Sequence, residues 1–137
     1  MPLAVAPKKR VAIDVNGETV VFICRTPSAG EMSAFLNSRF ITKRNKVESR
    51  AYEAREAFMD KVAIDIENAT YAGADGVEKP LDASTVLSSD EKTYLAGILG
   101  KPVDSWKDVI PMQWKSSAAQ RFEDSATAPE EEDGTKN

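Results

Sequence analysis

Residues 47–71 read VESRAYEAREAFMDKVAIDIENATY, and the fold is predicted around this stretch. Its apolar side chains recur at steps of three and four residues, which is the spacing of one face of an α-helix. Charged side chains fill much of the remainder, and no proline or glycine interrupts the run before Gly73. The pattern predicts one amphipathic helix of roughly 35 Å that forms the spine of a small domain. The apolar positions are Val47, Ala51, Ala54, Phe58, Val62, Ile66 and Ala69.

The composition of the chain excludes several classes of functional site. A length of 137 residues with 42% apolar residues fits one domain with a compact core. The absence of histidine excludes imidazole bases, histidine zinc ligands and Ser-His-Asp or Cys-His catalytic sites. The single cysteine, Cys24, excludes an internal disulfide, and we expect it to be a small core residue. We predict a protein that is not an enzyme and uses neither a cofactor nor a metal.

The two ends of the chain differ in composition from its centre. No early apolar run reaches the length of a membrane span, so we expect an unexported, cytosolic protein that does not bind membranes. We assign residues 1–10 to a flexible arm and residues 11–124 to a single domain. Residues 125–137 carry four consecutive acidic residues, Glu130 to Asp133, and are predicted to be disordered.

Charge is distributed unevenly along the sequence. Residues 1–61 have a net charge of +4 and residues 62–137 a net charge of −8. Two copies could therefore attract each other head to tail. The alternative is an uneven scatter of solvated charge, because exposed pairs are individually weak and screened by salt.

A β-hairpin is predicted between Val11 and Cys24. Apolar and polar residues alternate on both sides of Asn16-Gly17, a dipeptide that favours a two-residue type I′ turn. This turn places Val11, Ile13, Val20, Phe22 and Cys24 on one face, and a slip of one residue would separate the two apolar sets. Val21 and Ile23 fall on the other face, which we expect a helix or a partner to cover at least in part.

The segment after the hairpin changes from strand to helix. Pro27 ends the strand, and Ser28 and Glu31 have the spacing of a capping box. The helix that starts here should bury its apolar side against the hairpin or the long helix. That side consists of Met32, Phe35, Leu36 and Phe40.

Residues 39–55 form the most basic part of the chain. We interpret residues 40–47 as a connector between two helices or as part of one continuous exposed helix. A nucleic-acid site is the more specific interpretation of these basic residues. Against it, the segment lacks clustered aromatic residues and contains several acidic ones, and the pI of the chain is near 5.0. A solvated or protein-binding face is therefore the preferred interpretation.

The C-terminal half contains further helix signals. Residues 72–80 have the glycines and proline of a surface loop, although Val77 or Val86 could begin another short strand. A second S-x-x-E box at Ser88 predicts a helix that Gly100 ends. Residues 104–111 should form a short turn or helix, and Pro111 should be the first residue of the last helix.

The order of these features resembles the small tail assembly chaperones of long-tailed bacteriophages, over roughly residues 11–123. The most distinctive element is the junction Arg25-Thr26-Pro27-Ser28-Ala29-Gly30-Glu31-Met32. The hairpin, the helices and a late tryptophan-containing segment follow the same order. The matching late residues are Trp106, Val109, Ile110, Pro111, Trp114, Lys115 and Phe122.

The resemblance implies a non-enzymatic protein that coats the tail tape-measure protein until tube subunits polymerise around it. It implies residence in the bacterial cytoplasm, the tail tube protein as a second partner, and oligomers in some members. It supplies no catalytic residue. Phe35, Phe58 and Trp114, together with Val21 and Ile23 of the hairpin, could contact the partner or belong to the core.

We expect an α+β fold in which the N-terminal β-hairpin packs with four or five α-helices, helix being the larger part. Two other functions stay open: a virion structural or adaptor component, and a nucleic-acid-binding regulator that uses residues 39–55.

Overall fold

The computed structural model describes residues 8–127 and begins with the predicted hairpin. Strand β1 spans Lys8–Val15 and strand β2 spans Glu18–Arg25. The turn residues Asn16 and Gly17 have φ values of 52° and 87°, as a type I′ turn requires. The register pairs Val15 with Glu18 and Val11 with Phe22, so the predicted two-residue turn and the shared apolar face are confirmed. The strand also includes Lys8–Arg10, which the sequence prediction had assigned to the arm; residues 1–7 lie outside the described residues.

The long helix predicted over residues 47–71 is wrong at both ends. The helix α2 spans Ala51–Val62, and the chain then continues directly as strand β5, Ala63–Glu67. Two patterns compete in this segment. The spacing of the apolar residues 62, 66 and 69 fits a helix. The alternation of apolar and acidic residues in Ile64-Asp65-Ile66-Glu67, with β-branched apolar residues, fits a strand. Pairing with β2 decides in favour of the strand.

Strand β5 completes a three-stranded antiparallel sheet with the order β1-β2-β5. A bulge interrupts this pairing, since Ile23 is opposite Asp65 and the next residue, Cys24, is opposite Ala63. Ile64 is thus the extra residue and is 36% exposed. On the outer face, the Arg10 guanidinium binds both carboxylate oxygens of Glu67 across β2, at 2.7 and 3.0 Å.

The first helix, α1, spans Ala29–Ser38 and begins with the predicted capping box. The Glu31 amide donates to Ser28 Oγ at 3.1 Å, and the Ser28 amide donates to Glu31 Oε1 at 3.0 Å. Arg25 adds two hydrogen bonds to the same carboxylate. The Arg25 guanidinium and then the Ser28 amide lower the pKa of Glu31 to about 2.

The segment between α1 and α2 forms a second hairpin. Residues 40–47 therefore do lie in a connector between two helices, whereas the continuous exposed helix was a wrong interpretation. Strand β3 spans Phe40–Lys43 and strand β4 spans Lys46–Ser49. These two strands form a sheet of their own.

The remaining elements follow the predicted order. Strands β6, Thr70–Ala72, and β7, Glu78–Pro80, form a short ladder within the region predicted as helix end and loop. Helices α3, Ser89–Leu99, and α4, Trp106–Val109, lie where helical structure was predicted, and Gly100 ends α3 with φ of 70°. Helix α5 spans Met112–Thr127. It therefore starts one residue after Pro111 and includes residues 125–127 of the predicted tail, whereas residues 128–137 lie outside the described part.

A single core joins the sheet to the helices, and the predicted α+β class is confirmed by the five helices and seven strands between residues 8 and 127. The predicted inner face of the first hairpin is buried, and Phe58, Met59 and Val62 of α2 pack against it together with Ala118, Ala119 and Phe122 of α5. Between residues 8 and 127, none of the helices has the length and apolar character needed to cross a membrane.

Candidate partner-binding site

The hairpin β3–β4 is the part of the described chain that packs least against the rest. All eight of its strand residues are exposed. Val47 is 70% exposed and Phe40 51% exposed, and Ile41 is also on the surface. A two-stranded hairpin without a packed face is marginally stable in water, and its free edges can pair with another chain. These features make the hairpin a candidate docking surface.

The turn of this hairpin fixes its register. Arg44 and Asn45 have φ values of 52° and 66°, and Lys43 pairs with Lys46, so the loop is a two-residue turn of the I′ type. Asparagine tolerates this left-handed conformation better than most residues.

The register gives the two faces of the hairpin different chemistry. Residues opposite each other in an antiparallel pair share a face, and successive residues alternate between faces. One face therefore carries Phe40, Thr42, Val47 and Ser49, none of which is charged. The other face carries Ile41, Lys43, Lys46 and Glu48. The uncharged face is suited to an apolar segment of another protein.

The base of the hairpin is held firmly to the domain. The Arg50 amide donates to the Arg39 carbonyl at 2.6 Å, which closes the hairpin. The Arg39 guanidinium in turn binds Glu123 of α5 at 3.1 Å and the Leu36 carbonyl at 3.1 Å. The hairpin is therefore an exposed arm on a fixed root.

Glu123 is a buried carboxylate that receives two guanidinium groups. Arg55 Nε lies 2.7 Å from Glu123 Oε2, and Arg55 also donates to Ser116 Oγ at 3.3 Å. Burial acts to raise the pKa of Glu123, but Arg55 and Arg39 more than reverse this effect and hold its pKa below the usual range. The carboxylate thus ties α5 to α2 and to the root of the hairpin.

The tip of the hairpin carries three cations, Lys43, Arg44 and Lys46. None of them forms an ion pair with any residue between 8 and 127. Together with Glu48 they line a surface cleft of about 360 Å³. The tip is therefore suited to bind carboxylate or phosphate groups.

Two of the predicted partner-binding residues meet in the core. The rings of Phe35 and Phe58 stack with their centres 4.3 Å apart, and each residue is only 4% exposed. They lie along a groove of about 190 Å³ between α1 and α2, which Glu31 and Lys61 flank. The two rings mainly hold the helices together and offer little surface to a partner.

The other predicted partner-binding residues lie apart from this pair. Val21 is half-buried and Ile23 is buried, on the sheet face that the Arg10–Glu67 ion pair spans. Trp114 of α5 is half-buried and packs against the core. The structure therefore does not bring the five predicted residues into one site, and none of them belongs to the β3–β4 hairpin.

A second ionic cluster lies between α2 and α5. Lys115 is 1% exposed, and its Nζ lies 2.8 Å from Asp60 Oδ1 and 3.7 Å from Glu56 Oε2. Lys107 Nζ donates to the Asp60 carbonyl at 2.7 Å. Lys115 Nζ and Asp60 Oδ1 are both buried and lie at ion-pair distance, although neither forms a hydrogen bond of regular geometry. Because these charges face each other within the fold, we assign the cluster a structural role.

Cys24 is a buried free thiol. Burial raises the pKa of the Cys24 thiol to about 11, so it is protonated at neutral pH. Within the described residues, no group of three or more cysteine or acidic side chains is arranged to hold a metal ion.

The hairpin was missed in the sequence because it buries nothing. Its apolar residues have no period that matches a core face, and the basic residues between them were interpreted as a polar connector. The available signal was local: Phe40-Ile41-Thr42 and Val47 favour strands, and Asn45 favours a turn between them.

Searches with this chain found no matching protein-family model, no matching curated protein and no matching solved structure. The geometry of the hairpin and the resemblance of residues 25–32 therefore carry the functional proposal.

Proposed function

We propose that this protein is a non-enzymatic tail assembly chaperone of a long-tailed bacteriophage or prophage, and that it binds the tape-measure protein through the hairpin β3–β4. It acts in the cytoplasm of the bacterial host, with the tail tube protein as a second partner and with self-association of the chaperone as part of its action. The exposed, unpacked β3–β4 hairpin is the observation that carries this proposal.

The energetics of the hairpin support a binding role. Phe40 and Val47 leave much of their apolar area in water, although covering a large apolar side chain stabilises a complex by about 1.5–3 kcal/mol. Both residues lie on the uncharged face, where one apolar client segment can cover them together. A chaperone needs an exposed apolar surface of this kind, because its client must bind there and later be released.

The fixed root supports the same role. Arg39 and Arg50 anchor the two strand ends through the hydrogen bond between them and through Glu123. The hairpin already has a fixed position on the domain when a client binds. Less conformational entropy is therefore lost on binding.

A nucleic-acid-binding regulator is the second candidate, and it is favoured by the three tip cations, which have no ion-pair partner among residues 8–127. The remainder of the basic segment is less available, because Arg39 and Arg55 bind Glu123 and Arg50 lies near Glu48 and Glu53. Nucleic-acid binding would weaken steeply as salt rises, whereas an apolar contact would not.

Binding to a phage tail tape-measure protein tests the proposal. We expect a stable mixed complex in size-exclusion chromatography with light scattering, and absence of the protein from finished virions. Presence in virions would instead favour a structural or adaptor component.

A matched pair of variants locates the surface. Phe40→Ser with Val47→Ser should abolish the complex and leave the fold intact, because neither side chain is buried. The control pair, Val86→Ser with Ile98→Ser, removes apolar residues that are 87% and 61% exposed elsewhere and should leave binding unchanged. Equal binding by wild type and the Phe40/Val47 variant would contradict the proposal.

A further inference from the structure

We propose that the client binds as an extended strand that adds, antiparallel, to the free edge of β3. The client segment carries an acidic residue opposite Lys43 and apolar residues opposite Thr42, Ile41 and Phe40. The identity of the client as a tape-measure segment rests on the proposed function, whereas the chemistry of the edge does not depend on it.

The hydrogen bonds of the hairpin determine which backbone groups of β3 are free. The Arg50 amide donates to the Arg39 carbonyl at 2.6 Å, which continues the register of the two strands by one pair. Because hydrogen-bonded and non-bonded pairs alternate along an antiparallel ladder, the amides and carbonyls of Phe40 and Thr42 point away from β4. Strand β3 pairs only with β4, and no residue between 8 and 127 hydrogen-bonds to the Thr42 amide or carbonyl. The edge therefore offers donors and acceptors to another strand.

The free edge and the uncharged face of the hairpin are formed by the same residues. Phe40 and Thr42 supply the outward backbone groups, and their side chains lie on the uncharged face. Opposite residues of antiparallel strands share a face, so the client residues that hydrogen-bond to these two place their side chains beside them. A large side chain opposite Thr42 extends across it towards Val47, which is 70% exposed on β4. One added strand therefore covers apolar surface on both strands of the hairpin.

The other face of β3 favours an acidic client residue. Lys43 lies there beside Lys46, and neither forms an ion pair with a residue between 8 and 127. A carboxylate opposite Lys43 forms a charge-assisted hydrogen bond. The edge of β4 is less selective for charge, because Lys46 and Glu48 have opposite signs. Strand β3 has no acidic residue, so its edge selects a carboxylate.

These contacts define the client sequence from its N-terminus to its C-terminus. An antiparallel client has an acidic, a β-branched, an apolar and an aromatic residue, opposite Lys43, Thr42, Ile41 and Phe40 in that order. β-Branched and aromatic residues favour strands. A slip of one residue would place the carboxylate on the uncharged face, so the edge selects the register as well as the composition.

Synthetic peptides with the core Glu-Val-Ile-Tyr test this arrangement on the full chain by NMR titration. We expect the peptide to shift the backbone amide signals of residues 40–43 most strongly, because they lie next to the added strand. A peptide with the core Val-Glu-Ile-Tyr has the same composition but places its carboxylate on the uncharged face. It should bind at least about tenfold more weakly.

Backbone methylation of the first peptide gives a matched pair that leaves the protein unchanged. Methylation of the valine nitrogen removes the amide that donates to the Thr42 carbonyl and should weaken binding about tenfold. The isoleucine amide lies opposite Ile41 and points away from β3. Its methylation should therefore change the affinity by less than about twofold.

Proline substitutions test the same edge on the protein. Thr42→Pro removes an outward amide, which a strand tolerates better than loss of an inward one, and should weaken peptide binding at least about tenfold. The control, Ser49→Pro, removes an outward amide from the edge of β4 and should leave binding unchanged. Retained protection of the inward Ile41 and Lys43 amides shows that each variant keeps the hairpin.

A charge exchange tests the contact at Lys43. Lys43→Glu should weaken binding of the Glu-Val-Ile-Tyr peptide about threefold, as expected for an exposed ion pair. A peptide with lysine in place of the glutamate should bind this variant better than it binds the wild type. Equal binding of the lysine peptide to both proteins would refute the pairing with Lys43.

Three results would overturn strand addition at β3. The first is equal binding of the two methylated peptides, since only one of the two amides lies in the new ladder. The second is loss of binding in Ser49→Pro but not in Thr42→Pro, which would assign the β4 edge. The third is protection of the Thr42 amide that rises with protein concentration without peptide, which would assign the edge to a second copy.

The outcomes also separate this inference from the proposed function. Peptide binding as described, without binding of a tape-measure protein, would refute only the chaperone role. Binding of the tape-measure protein that requires Phe40 and Val47 but is unaffected by Thr42→Pro would refute only the strand addition.

Discussion

The carboxylate of Glu123 joins three segments of the chain. It is 8% exposed and binds Arg55 of α2 and Arg39 at the root of the hairpin. A buried ion pair is a weak source of net stability, but removal of one partner leaves the others without compensation. The ion pairs of Glu123 therefore contribute little net stability, but removal of its charge should destabilise the fold.

We expect Glu123→Gln to lower the free energy of unfolding by about 2 kcal/mol near neutral pH, less than for fully buried pairs because both arginines keep some contact with water. The pKa of Glu123 is lowered in the folded state, so its contribution is present above the unfolded-state pKa and is lost as pH falls through the folded-state pKa. Urea titrations at several pH values should show the difference between wild type and variant shrinking in acid. A difference that grows in acid would refute this role.

Lys115 should behave differently although it is more deeply buried. Its carboxylate partners, Glu56 and Asp60, have side chains that are 25% and 40% exposed, so they can be hydrated when the ammonium group is removed. We expect Lys115→Met to change the free energy of unfolding by no more than about 1 kcal/mol, in either direction. Chemical denaturation of Lys115→Met and Glu123→Gln under the same conditions compares their free energies of unfolding. A larger loss for Lys115→Met would show that its ion pairs stabilise the α2–α5 contact.

At the scale of elements, loss of the hairpin β3–β4 should leave the free energy of unfolding of the domain almost unchanged. Valine at position 45 would have to adopt φ of 66°, which costs an L-residue about 1–2 kcal/mol and is unfavourable for a β-branched side chain. We expect Asn45→Val to disorder this marginal hairpin while the midpoint of urea unfolding stays almost unchanged.

Hydrogen exchange provides the measurement for this variant. Amides of β3 and β4 should exchange faster in Asn45→Val, whereas those of β1, β2 and β5 should keep their protection. Asn45→Gly is the control, because glycine adopts positive φ without strain and should keep the hairpin. Loss of protection throughout the central sheet would mean that the arm contributes to the core.

Elements with local signals were predictable from the sequence. The Asn16-Gly17 turn set the register of the first hairpin, and Ser28 with Glu31 marked the start of α1. Strand β5 was not predictable in this way, because its residues satisfy helix and strand patterns alike and their pairing with β2 is more than 35 residues distant along the chain. Residues 39–55 were interpreted as a solvated or protein-binding face, but their hairpin structure was missed, since an arm that buries no side chain leaves no pattern of a core face.

At the scale of the whole molecule, residues 8–127 form one core that holds the three-stranded sheet and the helices, and the hairpin β3–β4 projects from it. The rings of Phe35 and Phe58, and of Phe58 and Phe122, link α1, α2 and α5 into the support for the arm. The proposed function requires both parts, a stable support and an exposed surface.

Hydrogen–deuterium exchange of the full chain, alone and mixed with the tape-measure protein, tests the central claim most directly. We predict new protection concentrated in residues 40–49, because the client covers the uncharged face of the hairpin. The first hairpin and the groove between α1 and α2 should exchange as they do in the free protein. Protection confined to those other surfaces, or no protection at all, would contradict the proposal that this arm binds the tape-measure protein.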